Sequence, residues 1–141
     1  RGRRGVMPDV RLELRWTGAG LEFEGGPPGG PGAKVDGNGK TAISPMQALL
    51  LSLAGCTAAD VVDILTKMRV PLEGLELALE GDRAAEPPRR YERIRIEYRV
   101  KVPGGEEEKV RRAVALSHEK YCSVLHTLRP DMVLETELVV V

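Results

Sequence analysis

Cys56 and Cys122 are the only two cysteines in this chain, and a thiol is the side chain here best suited to nucleophilic attack, reversible oxidation or soft-metal binding near neutral pH. The first lies in Ser44-Pro-Met-Gln-Ala-Leu-Leu-Leu-Ser-Leu-Ala-Gly-Cys56-Thr-Ala-Ala-Asp60 and the second in Ser117-His-Glu-Lys-Tyr-Cys122-Ser-Val-Leu-His126. Their separation excludes a thioredoxin-like C-x-x-C pair. At about 100° per helical residue, Cys56 falls near the meridian of Ser52, Asp60 and Asp63, at the edge of the polar stripe. That position leaves two readings open: a functional thiol, or a cysteine packed as a small hydrophobe. Carboxylates at Asp60 and Asp63 disfavour a thiolate, so a reactive Cys56 requires a basic neighbour supplied by the fold, while Asp60 could itself orient an arginine or another donor. Cys122 precedes Ser123, which reads as the N-cap of a short helix, so free backbone N–H groups nearby favour its thiolate. Either cysteine is therefore open to ionisation.

Other chemistry finds less support. His118, Cys122 and His126 would line one face of a continuous helix as three metal ligands, but a cap at Ser123 breaks that helix and no fourth ligand follows. His118 reads as a solvated residue or a supporting group at the site. A Cys-His-Asp hydrolase using Cys56 with His118 or His126 lacks any sequence provision for an oxyanion hole. The Gly/Pro-rich run from Gly25 to Gly32 does not lead directly into a helix, so it is not a phosphate-binding loop. The expected cofactor set is therefore empty, and no metal is expected.

The elements that must position the thiols follow from periodicity. Val10 to Trp16 and Leu21 to Phe23 alternate apolar and polar residues and predict a hairpin with one face in water, followed by a short strand near Ala33 to Val35 and a turn at Asp36-Gly-Asn-Gly39. Ser44-Pro45 supplies an N-cap and a first helical residue for a long, unusually apolar helix to about Met68, which Pro71 stops. Leu75 to Glu80 and Ile94 to Val102 predict an antiparallel pair, Glu106 to Tyr121 a helix that opens acidic and continues basic, and Met132 to Val141 a final strand. The expected class is α+β, with a mostly antiparallel sheet around a long central helix.

With 141 residues, the chain predicts a single domain, in which 7–43 form the N-terminal strands and loop. Met7 reads as a start residue and 1–6 as a disordered extension. Twenty-one basic and 21 acidic side chains remove the electrostatic argument for nucleic acid or an anionic membrane. The run from Leu49 to Cys56 is shorter than the roughly 18 apolar residues of a membrane span, so it reads as a core helix. Two cysteines without a signal-peptide pattern predict a reducing cytoplasm.

Together, Trp16-x-Gly18-x-Gly20-x-x-Phe23, Ser44-Pro-Met-Gln-x-Leu-Leu, Gly55-Cys-Thr-Ala-Ala-Asp60, Ile64-Leu-x-Lys-Met-Arg69 and Ser117-x-Glu-Lys-Tyr-Cys-Ser-Val124 resemble the OsmC/Ohr superfamily, the osmotically inducible protein C and organic hydroperoxide resistance proteins, in its OsmC-like branch. The resemblance covers most of the chain. It implies an intertwined homodimer and a thiol peroxidase that acts on organic hydroperoxides or hydrogen peroxide. Carried over, Cys56 is the peroxidatic residue and Cys122 the resolving one, and the disulfide between them is reduced by an external dithiol. One motif departs from the Ohr pattern: Asn-Pro-Glu-Gln reads Ser44-Pro45-Met46-Gln47 here, so the activating glutamate is absent. That departure keeps a second function open, a non-catalytic dimer of the same fold that binds a small ligand or senses redox state.

Overall fold

The computed structural model describes residues 7–141, so the expectation for 1–6 lies outside it. The chain divides into two compact units, one up to Leu49 and one from Leu50 onward.

In the first unit, β1 (Glu13–Trp16), β2 (Glu22–Gly26) and β3 (Ala33–Asp36) form an antiparallel sheet in that order. Trp16 Nε1 donates to the Gly20 carbonyl at 3.0 Å and closes the first turn, where Gly18 and Gly20 adopt positive φ. Asp36 organises the next turn: its carboxylate accepts from the backbone N–H groups of Asn38, Lys40 and Thr41 and from the Thr41 hydroxyl. Those bonds, led by the Thr41 and Asn38 backbone donors, hold its pKa down at about 2. The hairpin differs from expectation in one respect. All of β1 is exposed, and Val10, Leu12, Leu14 and Trp16 stand in an uncovered apolar row.

Helix α1 (Pro45–Lys67) starts where the sequence predicts. Ser44 Oγ accepts from the Gln47 N–H at 3.2 Å while Gln47 Oε1 accepts from the Ser44 N–H at 2.9 Å, a reciprocal capping box. The helix stops three residues before Pro71 is reached, through local geometry: Arg69 sits at φ 61, Val70 N–H reaches the Leu65 carbonyl at 2.9 Å, and Arg69 N–H reaches Thr66 at 3.0 Å. This is a Schellman closure with arginine where glycine is usual.

The second unit carries β4 (Gly74–Arg83), β5 (Tyr91–Lys101) and β6 (Val133–Val140) as a sheet in that order. The β4–β5 pair is antiparallel, and β6 runs parallel to β5, an exception within a mostly antiparallel fold. Ile94, Ile96, Tyr98 and Val100 alternate into the core, where Leu53, Val61 and Leu65 of α1 and Val110, Ala113 and Val114 of α2 (Glu107–Leu116) also lie. After α2, Ser117–Tyr121 form a π-helical turn, and α3 spans Ser123–Thr127. The cap of α3 is Cys122 rather than Ser123, because the wider turn places Ser123 already inside the helix.

Within the second unit α1 is a core helix on one side only. It buries Leu53, Thr57, Val61 and Leu65, while Leu51 (63% exposed), Gly55, Ala59 and Val62 form a bare stripe on the other side. By length and composition alone the helix could cross a membrane, a criterion that a core helix also meets. Because left-handed φ disfavours residues with a Cβ, Arg69→Gly is expected to raise stability by about 0.5–1 kcal/mol. Urea unfolding with an unchanged m-value checks this.

Candidate active site

Helix α1 and the π turn bring the two cysteines together. The two thiols interact: Cys56 is among the side chains that raise the pKa of Cys122, although the two lie on different elements far apart in the chain. Cys56 sits at the boundary between the buried and bare faces of α1 and is half-buried, whereas Cys122 is fully buried. Both are free thiols.

Their environments separate their chemistry. Burial is the largest influence on Cys122; the Leu125 backbone N–H opposes it, while the neighbouring Cys56 and the negative charge of Asp60 reinforce it. The net effect pushes Cys122 up to about 11. The sequence expectation of a readily ionised Cys122 is thereby corrected: the helix-start N–H is present, but loss of water outweighs it. At neutral pH Cys122 is a protonated thiol held against Cys56.

A hydrogen-bonded chain of polar side chains, missed in the sequence, links the two segments that carry the thiols. Ser117 Oγ donates to Asp60 Oδ2 at 2.8 Å and bonds Thr57 Oγ1 at 2.8 Å. Thr57 Oγ1 in turn bonds the Tyr98 hydroxyl at 2.7 Å, and that hydroxyl bonds His118 Nε2 at 2.7 Å. Thr57, Ser117 and Tyr98 are all buried, and no buried side-chain nitrogen or oxygen among the described residues lacks a partner. Burial raises Tyr98 to about 12 despite its hydrogen bond with Thr57. His118 is therefore a half-buried member of this chain rather than a solvated surface group, and burial lowers its pKa. Its carbonyl accepts from His126 Nε2 at 2.9 Å.

His118 and His126 thus turn their Nε2 atoms toward Tyr98 and a backbone carbonyl, not toward a shared point with Cys122. Asp60 is in place beside the thiols as anticipated, but its bonded partner is Ser117, not a cation. Asp63 lies outside the cluster, paired with Lys67 at 3.0 Å. The missed residues did leave a signal: Thr57 occupies a core position in the Leu53, Val61, Leu65 series, and Tyr98 one in the Ile94, Ile96, Val100 series.

Two surface concavities lie elsewhere. One of about 620 Å³ is formed by β1, β2 and the Gly/Pro loop, and one of about 540 Å³ by the charged face of β4, β5 and β6. Neither is lined by a cysteine.

Residues 37–137 match the sequence profile of the OsmC-like protein family. The chain belongs to that family. This OsmC-like chain is 39% identical over 116 residues to Protein YhfA of Escherichia coli K12, a match covering 82% of this chain and 86% of YhfA. Its fold resembles that of a hypothetical protein from Aquifex aeolicus VF5, with TM-score 0.83, 31% identity, and 96% and 98% of the two chains covered. The organic hydroperoxide resistance protein OhrB of Bacillus subtilis shares the fold at TM-score 0.58, with 16% identity over 94% and 97% of the two chains.

The contrast between the thiols sets an expected labelling pattern for the OsmC-like protein. A group near pKa 11 has about one molecule in a thousand ionised at pH 8, and alkylation requires the thiolate. Iodoacetamide at pH 8 should therefore label Cys56 at least about tenfold faster than Cys122, with Cys122 labelling rising as pH approaches its pKa. Peptide mass spectrometry gives both rates; equal rates at pH 8 would contradict the assigned environments.

Proposed function

We propose that this OsmC-like protein is a cysteine-based hydroperoxide reductase that works as a homodimer in a reducing, cytoplasmic setting. The observation that carries the reading is the contact between a half-buried Cys56 and a buried, protonated Cys122. The first residue is open to a substrate and the second to the first. The Cys56 thiolate attacks the distal peroxide oxygen and breaks the O–O bond; an alkoxide leaves and takes up a proton to become an alcohol, and Cys56 becomes a sulfenic acid. Cys122 sulfur then attacks the Cys56 sulfur, giving a disulfide and water. An external dithiol reduces the disulfide by two exchange steps and is itself oxidised to a disulfide. Support from outside the chain is the family membership and the fold shared with a hydroperoxide resistance protein.

The decisive experiment supplies cumene hydroperoxide with dithiothreitol. Cys56→Ser should lower peroxide consumption at least about a hundredfold. Cys122→Ser should retain the first oxidation but accumulate sulfinic acid, a gain of two oxygens by mass. Consumption equal in the parent and Cys56→Ser proteins would sink the enzyme reading. Met46 in place of the expected glutamate favours a second reading, a redox sensor; it would form the disulfide once per oxidation event without sustaining turnover.

The homodimer is supported by two uncovered apolar surfaces: the α1 stripe of Leu51, Gly55, Ala59 and Val62, and the β1 row of Val10, Leu12, Leu14 and Trp16. Apolar area of this kind is normally covered by a partner. Leu51→Glu and Val62→Glu together should convert a dimer to a monomer in light scattering after size exclusion. A parent protein that is monomeric at micromolar concentration, or that partitions into lipid vesicles instead, would contradict this.

A further inference from the structure

The four hydrogen bonds of the buried chain have only one consistent direction. Asp60 accepts the single hydroxyl proton of Ser117, so the Ser117–Thr57 bond must use the proton of Thr57. The Thr57–Tyr98 bond then uses the proton of Tyr98, and the Tyr98–His118 bond requires a proton on His118 Nε2. Every donor points toward the Asp60 carboxylate, and the His118 N–H closes the series. A histidine with Nε2 as acceptor would leave one bond without a proton.

The two ends of this chain grip the two segments that carry the thiols. Thr57 and Asp60 lie on the α1 turn that bears Cys56, and Ser117 and His118 open the π turn that ends at Cys122. The Ser117 carbonyl also accepts the Cys122 backbone N–H at 2.8 Å, a bond spanning the enlarged turn. Ser117 is thus attached to α1 through its side chain and to Cys122 through its backbone.

We propose that Thr57, Ser117 and His118 are positioning residues for disulfide formation, fixing the π turn on α1 so that Cys122 stays within reach of Cys56. This rests on the two-cysteine cycle proposed above, although the thiol pair can be assayed apart from peroxide. Proximity of two reacting groups is worth orders of magnitude in effective concentration and is sensitive to small displacements. A chain in which each hydroxyl is both donor and acceptor resists such displacement, because moving one member strands its neighbours in a buried site.

The test equilibrates the purified protein with mixtures of reduced and oxidised dithiothreitol. The protein dithiol loses two hydrogens to the cyclic disulfide, and mass spectrometry after acid quench and alkylation measures the fraction with a Cys56–Cys122 disulfide. Thr57→Val should shift the equilibrium toward the dithiol by about tenfold or more, and Thr57→Ser should restore it to within about twofold. His118→Leu should give a loss of the same sign and His118→Gln, whose amide can donate to Tyr98, should recover it. Iodoacetamide labelling of Cys56, measured in a Cys122→Ser background, should stay within about twofold throughout, since the positioning concerns the pair rather than Cys56 alone.

If Thr57→Val does not fold by circular dichroism, the His118 variants, at the opposite end of the hydrogen-bonded chain from Asp60, decide the matter. Thr57→Val and His118→Leu both within twofold of the parent would overturn the proposal, as would equal losses in His118→Leu and His118→Gln. A parent protein that consumes no peroxide but shows the expected shifts would refute the peroxidase reading and leave the positioning role standing. Turnover without the shifts would do the reverse.

Discussion

The 2.8 Å hydrogen bond between Thr57 and Ser117 joins the two segments of the chain that carry its cysteines. Both hydroxyls are buried, so neither can exchange its partner for water at low cost, and losing one leaves the other unsatisfied for about 1–3 kcal/mol. A pair of apolar residues at these positions would fill the space with less risk. It would not fix the rotation of the π turn against α1, because apolar contacts are tolerant of direction where hydrogen bonds are not. The surrounding residues can be understood as protecting this bond. Tyr98 and Asp60 satisfy its remaining capacity, His118 completes the proton count, and Leu53, Val61, Ile96 and Val110 keep the region dry.

The main elements were legible in the sequence because each depends on local rules. The capping box at Ser44 and Gln47, the alternation of β5 and the acidic opening of α2 are encoded within a few residues. Cys56 and Cys122 stood out as candidates by their rarity and their motifs, and Asp60 by its helical spacing. What was hidden depends on long-range register. The parallel pairing of β6 with β5 cannot be read from a strand's own alternation, since both pairings use the same pattern. The π turn at Ser117–Tyr121 inserts its extra residue without a glycine or proline to mark it, and so the cap moved from Ser123 to Cys122. Thr57, Tyr98 and Ser117 look like ordinary helix and strand residues until three separate elements place their hydroxyls together.

The exposed stripe of α1 and the exposed row of β1 pose a related problem. The segment running into β1, with apolar residues alternating at Val10, Leu12, Leu14 and Trp16, has the pattern of a half-buried strand, and a single chain gives it no burial. The same holds for α1, whose small residues at Gly55 and Ala59 leave the helix backbone open to close approach. Sequence pattern specifies that a face is to be covered; it does not specify by which copy of the chain. In the proposed dimer these faces become interior, and the apolar character of α1 is accounted for without a membrane.

The environment of Cys122 also bears on the order of events in the proposed cycle. Burial contributes most to holding it protonated, and the neighbouring Cys56 and Asp60 side chains add to it. A resolving thiol exposed to solvent would be available to oxidants and disulfides at all times, with loss of selectivity. Burial suppresses such side reactions, and the same contact that suppresses ionisation before oxidation supplies the short path for attack after it, provided that the π turn keeps the sulfurs in register.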